Sequence, residues 1–314
     1  MNNSDTQGIL IIIAAVAAMA TGDAFIKFFA DTVPLDWLIA GRSILAVVLL
    51  LALNTIMSKS LPRLRREKIR VYGLIAVRSL LLALMWLCYY VALPNMSFSL
   101  AAALLYTIPV FICVFSTVLR IESLSLRRVS ALVIGFAGVV VALQPWQGEV
   151  NGYLFFPIIA AALYALAQLL TRTNLSTESS TMLAAAMNVA LFVVAMVSVC
   201  GFVEISPNSY GISPVIGQII SFELLLKILM LAVLISITAT LTAKAFQVGS
   251  PTIVGVFDYS YLVFAAIWGV VLFSEVPSTH QFVGMLLIVV AGVLLLPLAS
   301  NIRFSRLFQA FSDR

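Results

Sequence analysis

The stretch Phe257-Asp258-Tyr259-Ser260-Tyr261-Leu262-Val263-Phe264, FDYSYLVF, lies in an apolar run from about Val248 to Phe273. A charge at the centre of a bilayer costs roughly 2.5–3.5 kcal/mol on insertion scales. An aspartate retained there is either compensated or used. The run itself is long enough to span, since a membrane helix needs about 20 apolar residues. The rest of the chain matches it. Of 314 residues, 62% are hydrophobic and 10% charged, against about 25% charged in soluble domains, and the mean hydropathy is +1.12. The expected fold is an all-α polytopic membrane protein.

Segments 8–30, 35–57, 71–93, 97–120, 125–144, 152–171, 181–203, 223–247, 250–273 and 280–299 each read as a span. Their connections are mostly short, the exceptions being Ser58–Arg70 and Glu204–Phe222. Ser58–Arg70, SKSLPRLRREKIR, holds six Lys or Arg against one Glu. Basic loops of this kind stay in the cytoplasm. Alternating spans then put both termini inside, with Arg120–Arg128, Thr171–Ser180 and the tail Arg303–Arg314 on the same side. The net charge of +5 collects in these loops, so it does not indicate a nucleic-acid partner. Cys88, Cys113 and Cys200 lie in apolar runs and read as small buried hydrophobes. His280 is the only histidine and builds no metal site alone, and no cofactor is expected. Met1–Gln7 carries an acidic residue and no basic one, unlike a cleaved signal peptide.

The chain repeats itself. Shifted by 153 positions, Ala92 falls on Ala245, Ser97 on Ser250, Tyr106 on Tyr259 and Glu122 on Glu275. Val110-Phe111 falls on Val263-Phe264. The preceding helices align at a shift near 145, where Leu38 meets Leu183. This suggests two five-helix halves, 1–146 and 147–314. An odd number of spans per half inverts one half relative to the other, as in secondary transporters, whose substrate site lies between the halves near the midplane.

Asp23, Lys27, Arg42, Arg78, Lys244 and Asp258 fall within spans and are the candidate pathway or gate residues. Asp23, Lys27 and Arg42 lie toward the outer ends of their helices, and Arg78, Lys244 and Asp258 toward the inner ends. Asp23 and Lys27, four residues apart, share a helix face, and Arg42 completes a triad. Asp258 has Lys244 and Arg78 as candidate partners. The alternatives are static ion pairs and, for the two lysines, snorkelling to the interface. The cation surplus points to a substrate with an anionic group. Trp86, Tyr90, Tyr106, Gln168, Asn188 and Tyr259 are the candidate cavity lining, with packing or interhelical hydrogen bonding as the plainer reading. Pro109 is the candidate hinge; its repeat counterpart is Leu262, so the halves need not bend alike. Small residues at Ala131 and Gly135, and at Ala265 and Gly269, allow close helix contact within the bundle or in a homodimer. No nucleotide-binding or hydrolytic motif is present, so the chain reads as no enzyme, driven by an ion or substrate gradient.

With these residues in view, the chain resembles the EamA family of the drug/metabolite transporter superfamily. The resemblance rests on GDAFIKFF (Gly22–Phe29), GRSILA (Gly41–Ala46), VRSLLLALMWLCYYVAL (Val77–Leu93), YTIPVF (Tyr106–Phe111), Glu122 and GFAGVVVAL (Gly135–Leu143). FDYSYLVFAAIWGVVLFSE (Phe257–Glu275) and GMLLIVVAGVLLL (Gly284–Leu296) look like the same pattern repeated. It implies a ten-helix carrier of the bacterial inner membrane with inverted repeats and alternating access. Family members move amino acids, nucleotide-related metabolites, riboflavin or drugs. The Arg42 and Arg78 contexts look closest to members proposed to take up adenosylmethionine or riboflavin. Leu105 stands where a symmetric partner of Asp258 would be. The leading expectation is a secondary carrier of a small polar or amphipathic metabolite, monomer or homodimer, with Asp258 the candidate proton-coupling residue. The alternatives are an efflux carrier without proton coupling and a lipid scramblase, which needs a polar groove open to lipid.

Overall fold

A computed structural model describes residues 3–29, 35–58, 69–92, 95, 98–122, 125–147, 152–200, 222–274 and 276–295. The basic loop 59–68, Ser97, Glu275 and the tail 303–314 lie outside the described residues, as do the side chains of Lys27 and Tyr90.

The described chain is all helical: α1 (Asn3–Phe29), α2 (Leu35–Ser58), α3 (Ile69–Ala92), α4 (Phe98–Leu105), α5 (Ile108–Val118), α6 (Leu126–Leu143), α7 (Phe155–Asn174), α8 (Ser180–Val199), α9 (Phe222–Val248), α10 (Pro251–Asp258), α11 (Tyr261–Phe273) and α12 (Thr279–Leu295). Among the described residues, 9 segments are long and apolar enough to cross a membrane, and Thr279–Leu295 is a shorter apolar helix. The surface is as greasy as the core. Leu10, Val48, Ile56, Leu80, Val133, Val193 and Phe282 are exposed, while Ala15, Ala46, Ala160, Ala165, Ala184 and Ala291 are buried. Bilayer tails are as apolar as leucine, so helices associate through close packing of small residues. The chain is a polytopic membrane protein.

Two spans are broken. α4 and α5 are separated by Tyr106 and Thr107, and α10 and α11 by Tyr259 and Ser260. The breaks coincide under the 153-residue shift, so both spans are interrupted at equivalent places although Pro109 has Leu262 as its counterpart. A hydroxyl back-bond accompanies each break. Thr107 Oγ1 donates to the Leu104 carbonyl at 2.6 Å, and Ser260 Oγ donates to the Phe257 carbonyl at 2.7 Å. Such back-bonding competes with the helix ladder and bends it. Pro109 follows the break, in the first turn of α5, where its missing N–H costs nothing.

The packing pairs helices across the molecule. α1 runs along α9, α2 along α8, α3 along α7 and α6 along α12. α10 fills the centre, with every residue from Pro251 to Phe257 buried, whereas α11 buries none. α6 and α12 approach through glycines, and a Cβ on Gly284 would lie 2.5 Å from the Gly138 carbonyl oxygen.

Candidate functional site

The polar chemistry falls at three levels. The first is the end of the bundle at which α1 begins, called here the N-terminal face. Asp5 Oδ1 accepts from the Ser250 backbone N–H at 3.0 Å. Glu122 accepts from the Ser250 hydroxyl, from the Thr252 N–H at 3.4 Å and from the Arg128 guanidinium at 3.5 Å. Two carboxylates thus meet the N-terminus of α10, where free N–H groups and the helix dipole favour negative charge. Arg120 adopts a left-handed φ of 54°, closing α5 so that the Glu122 N–H turns back to the Ser116 carbonyl at 3.3 Å. On the same face Arg172 donates to the carbonyls of Gln247 (2.7 Å) and Val248 (3.0 Å), and Gln247 Nε2 to those of Leu175 and Glu178, both at 2.8 Å. Gly8 lies against Gly249; a Cβ on Gly8 would come within 2.8 Å of the Gly249 Cα.

Asp258 lies about 10 Å above this face at 1.5 Å per residue of α10. It sits deep in the bundle yet keeps accessible surface, so it borders an internal space. Tyr164 shares that position and feels both Asp258 and Arg78. Neither expected cation pairs with Asp258. Arg78, 1% exposed, donates through Nε to Thr171 Oγ1 at 2.6 Å and through a terminal nitrogen to the Leu183 carbonyl at 3.3 Å. Lys244 is exposed, on the α9 stripe that also carries Val233 and Ile237, where a lysine stem lies along lipid and its ammonium reaches the interface.

The third level lies about 15 Å further along α1. The Tyr261 hydroxyl donates to Asp23 Oδ2 at 2.8 Å, and Trp268 Nε1 to Thr21 Oγ1 at 2.9 Å. Asp23 and Tyr261 are deep but keep accessible surface. Arg42, 6% exposed, lies within electrostatic reach of Asp23. Tyr106 stands between the two carboxylates, feeling both; its ring lies 5.9 Å from Tyr261 and 6.3 Å from Tyr259.

The remaining candidates divide. Trp86 is half-buried, its ring edge-on to Tyr89 at 6.3 Å. Gln168 is buried beside Tyr164, with Oε1 unpaired. Asn188 has no exposure, and its amide donates to the Ala184 carbonyl at 2.9 Å. Tyr259 is also fully buried, its ring where a Cβ on Gly135 would stand. Of the cysteines, Cys113 is buried and Cys88 intermediate, but Cys200, just past the end of α8, is exposed, contrary to expectation. Sequence reasoning passed over Asp5 and Ser250, and noted Tyr261 without a role. Ser250 had been visible as the repeat partner of Ser97, and Glu122 as that of Glu275.

A groove of about 390 Å³ opens on the bundle surface between α11 and α12, lined by Val263, Ile267, Val270, Phe282, Met285 and other apolar residues. It offers none of the polar lining a scramblase needs.

The model of the EamA-like transporter family matches residues 6–144. Over this part the chain is similar to EamA-like transporters. The chain is 26% identical to the pseudopaline exporter CntI of Pseudomonas aeruginosa over 92% of its length and 95% of that protein's. It is 24% identical to the S-adenosylmethionine uptake transporter of Rickettsia bellii, covering 62% of each. The riboflavin transporter of Brucella anthropi is also 24% identical, over 76% of this chain and 82% of that protein. These relatives are transporters of the drug/metabolite superfamily, and none is an enzyme by name. A crystal structure sharing 18% identity superposes with a TM-score of 0.76 over 95% of this chain and 99% of its own, which shows the fold. The chain is a multi-pass membrane protein similar to drug/metabolite transporters, with its first half matching the EamA-like model.

Arg78→Ala is expected to cost about 3 kcal/mol or more, since it empties a fully buried site and strips Thr171 and the Leu183 carbonyl of their donor. Arg78→Lys is expected to restore little, because an ammonium cannot reproduce the forked geometry. Thermal melting in detergent checks both. Loss of the Glu122 side chain removes a charge-assisted bridge, and the closed state of the N-terminal face is expected to weaken by roughly 10–100-fold. The readout is maleimide labelling of buried Cys113 in a Cys88→Ser, Cys200→Ser background, compared between Glu122→Ala and Ser250→Ala, singly and combined. Independent, additive effects would contradict a shared bridge.

Proposed function

We propose that this protein is an inner-membrane secondary carrier that moves a small polar or amphipathic metabolite by alternating access between two inverted five-helix repeats, 1–146 and 147–314. The observation that carries the reading is the pair of broken spans. α4/α5 and α10/α11 break in register, and their joints bring Tyr106 and Asp258 to the same central space as Asp23 and Tyr261. The reciprocal packing of α1 with α9 and α3 with α7 supports the two-repeat reading, since an inverted pair makes each contact twice.

The substrate is an amino-acid-, nucleoside- or vitamin-like compound, in keeping with relatives named for pseudopaline, S-adenosylmethionine and riboflavin. The expected anionic group on the substrate now rests on Arg42. Of the cations that suggested it, Arg78 is bound to neighbouring helices and Lys244 faces outward. Asp258, a carboxylate deep in the bundle without an ion pair to a described residue, is the proposed proton-coupling group. The relatives include both an exporter and uptake systems, so direction is left to experiment. The N-terminal face, stitched by Glu122, Asp5 and Arg172, is the closed inner gate in this state.

The test is flux of radiolabelled S-adenosylmethionine, riboflavin and pooled amino acids into proteoliposomes, with and without an imposed pH gradient. Saturable uptake of one class, accelerated by the gradient, is expected. Lipid flip-flop without solute flux would overturn the carrier reading.

A further inference from the structure

Arg42 is 6% exposed, and its Nε is buried without a partner. Nowhere among the described contacts does its guanidinium meet a hydrogen-bond acceptor or come within 4.0 Å of a carboxylate. Burying a guanidinium unpaired is costly, and natural proteins almost always pair it. Among the described residues the opposite charge within its electrostatic reach is Asp23, beyond ion-pair distance. Asp23 is itself half satisfied. Its Oδ2 accepts from Tyr261, while Oδ1 has no described donor, and the residue keeps accessible surface. An anchored carboxylate and a guanidinium whose buried Nε has no partner among the described residues therefore lie near each other, beyond ion-pair distance.

Resting on the carrier reading above, we propose that Asp23 and Arg42 are the two poles of a site for the head group of an α-amino acid. The substrate carboxylate takes the forked donors of Arg42, which match its two oxygens. The substrate ammonium takes the free oxygen of Asp23, whose orientation Tyr261 fixes. An α-amino acid carries both charges on one carbon, so it fills the gap that the two side chains leave. The tyrosine rings beside it, Tyr261 and Tyr106 at 5.9 Å, receive the remainder of the molecule by stacking or cation–π contact. The site lies away from Asp258, which remains available for coupling. Substrate and coupling group thus sit on opposite sides of Tyr106, whose hydroxyl-bearing ring feels both carboxylates.

The experiment is equilibrium binding to the purified full-length protein of the twenty protein L-amino acids and S-adenosylmethionine. Each binder is then compared with its decarboxylated amine and its N-acetyl derivative. At least one zwitterion is expected to bind, with both derivatives weaker by roughly 30-fold or more. Arg42→Gln is expected to abolish the preference over the amine but keep that over the N-acetyl form. Asp23→Asn, which still accepts from Tyr261, is expected to do the reverse. Arg42→Lys should restore part of the carboxylate preference, and this crossed pattern is one that general misfolding does not produce. Equal binding of single-charge derivatives, identical losses in both variants, or no amino-acid binder at all would overturn the assignment. In any of those cases gradient-driven flux of riboflavin in the same proteoliposomes leaves the carrier reading standing, and absence of all solute flux removes it.

Discussion

Asp258→Asn is expected to reduce accumulation to the equilibrium level while sparing exchange of substrate across the membrane. Asparagine keeps the size and hydrogen-bonding of aspartate but takes up no proton, so only steps that require a change of charge are lost. The expectation follows from the surroundings of Asp258. It sits at the C-terminal end of α10 with accessible surface, Tyr164 and Tyr106 within electrostatic reach, and no ion pair with a described residue. A carboxylate with a fixed cation would stay ionised throughout the cycle, whereas one without is free to change state as the space beside it opens. α10 makes the link to motion. It is a rigid element of 8 residues with Ser250 at one end, held by Glu122 and Asp5, and Asp258 at the other. The assay compares substrate accumulation under a pH gradient with counterflow in the same vesicles. Loss of both, in protein that melts normally, would make Asp258 a structural residue.

Gly284→Val is expected to have the largest effect on stability. A Cβ there would stand 2.5 Å from the Gly138 carbonyl oxygen, 2.6 Å from the Ala142 Cβ and 2.7 Å from the Ala142 backbone nitrogen. Two of those atoms are backbone, which no rotamer change moves aside, so α6 and α12 must separate along their length. Overpacking inside cores costs typically about 1–3 kcal/mol, and a clash with backbone belongs at or above the upper end. Gly73→Ala is the control. No atom lies within 4 Å of its added Cβ, and alanine in a helix gains about 0.5–1 kcal/mol over glycine. Thermal melting should therefore move in opposite directions for the two variants. A similar shift for both would mean that the α6–α12 approach is not tight.

Hydropathy located the spans because membrane insertion is a property of a segment, and each of the ten expected segments overlaps a helix or broken helix pair. The joints at Tyr106-Thr107 and Tyr259-Ser260 fall in register under the 153-residue shift, but hydropathy reads each span as continuous. Pro109 stands in the first turn after one joint, and the Thr107 and Ser260 hydroxyls back-bond at both.

By itself, then, the sequence determined the membrane class and the order of spans, since these depend on composition and on a fixed rise per residue. Only the tertiary structure decided which charges meet. Arg78 and Asp258 share a depth, yet Arg78 is taken by Thr171, 93 residues away, and by the Leu183 carbonyl, 105 residues away. Lys244 falls on the lipid side of α9, and Glu122 reaches Ser250 across 128 residues. A one-residue step turns a helix by about 100°, so a side chain's partner is set by how each helix is rotated against its neighbours. That rotation comes from packing of the whole bundle and is written in no single span.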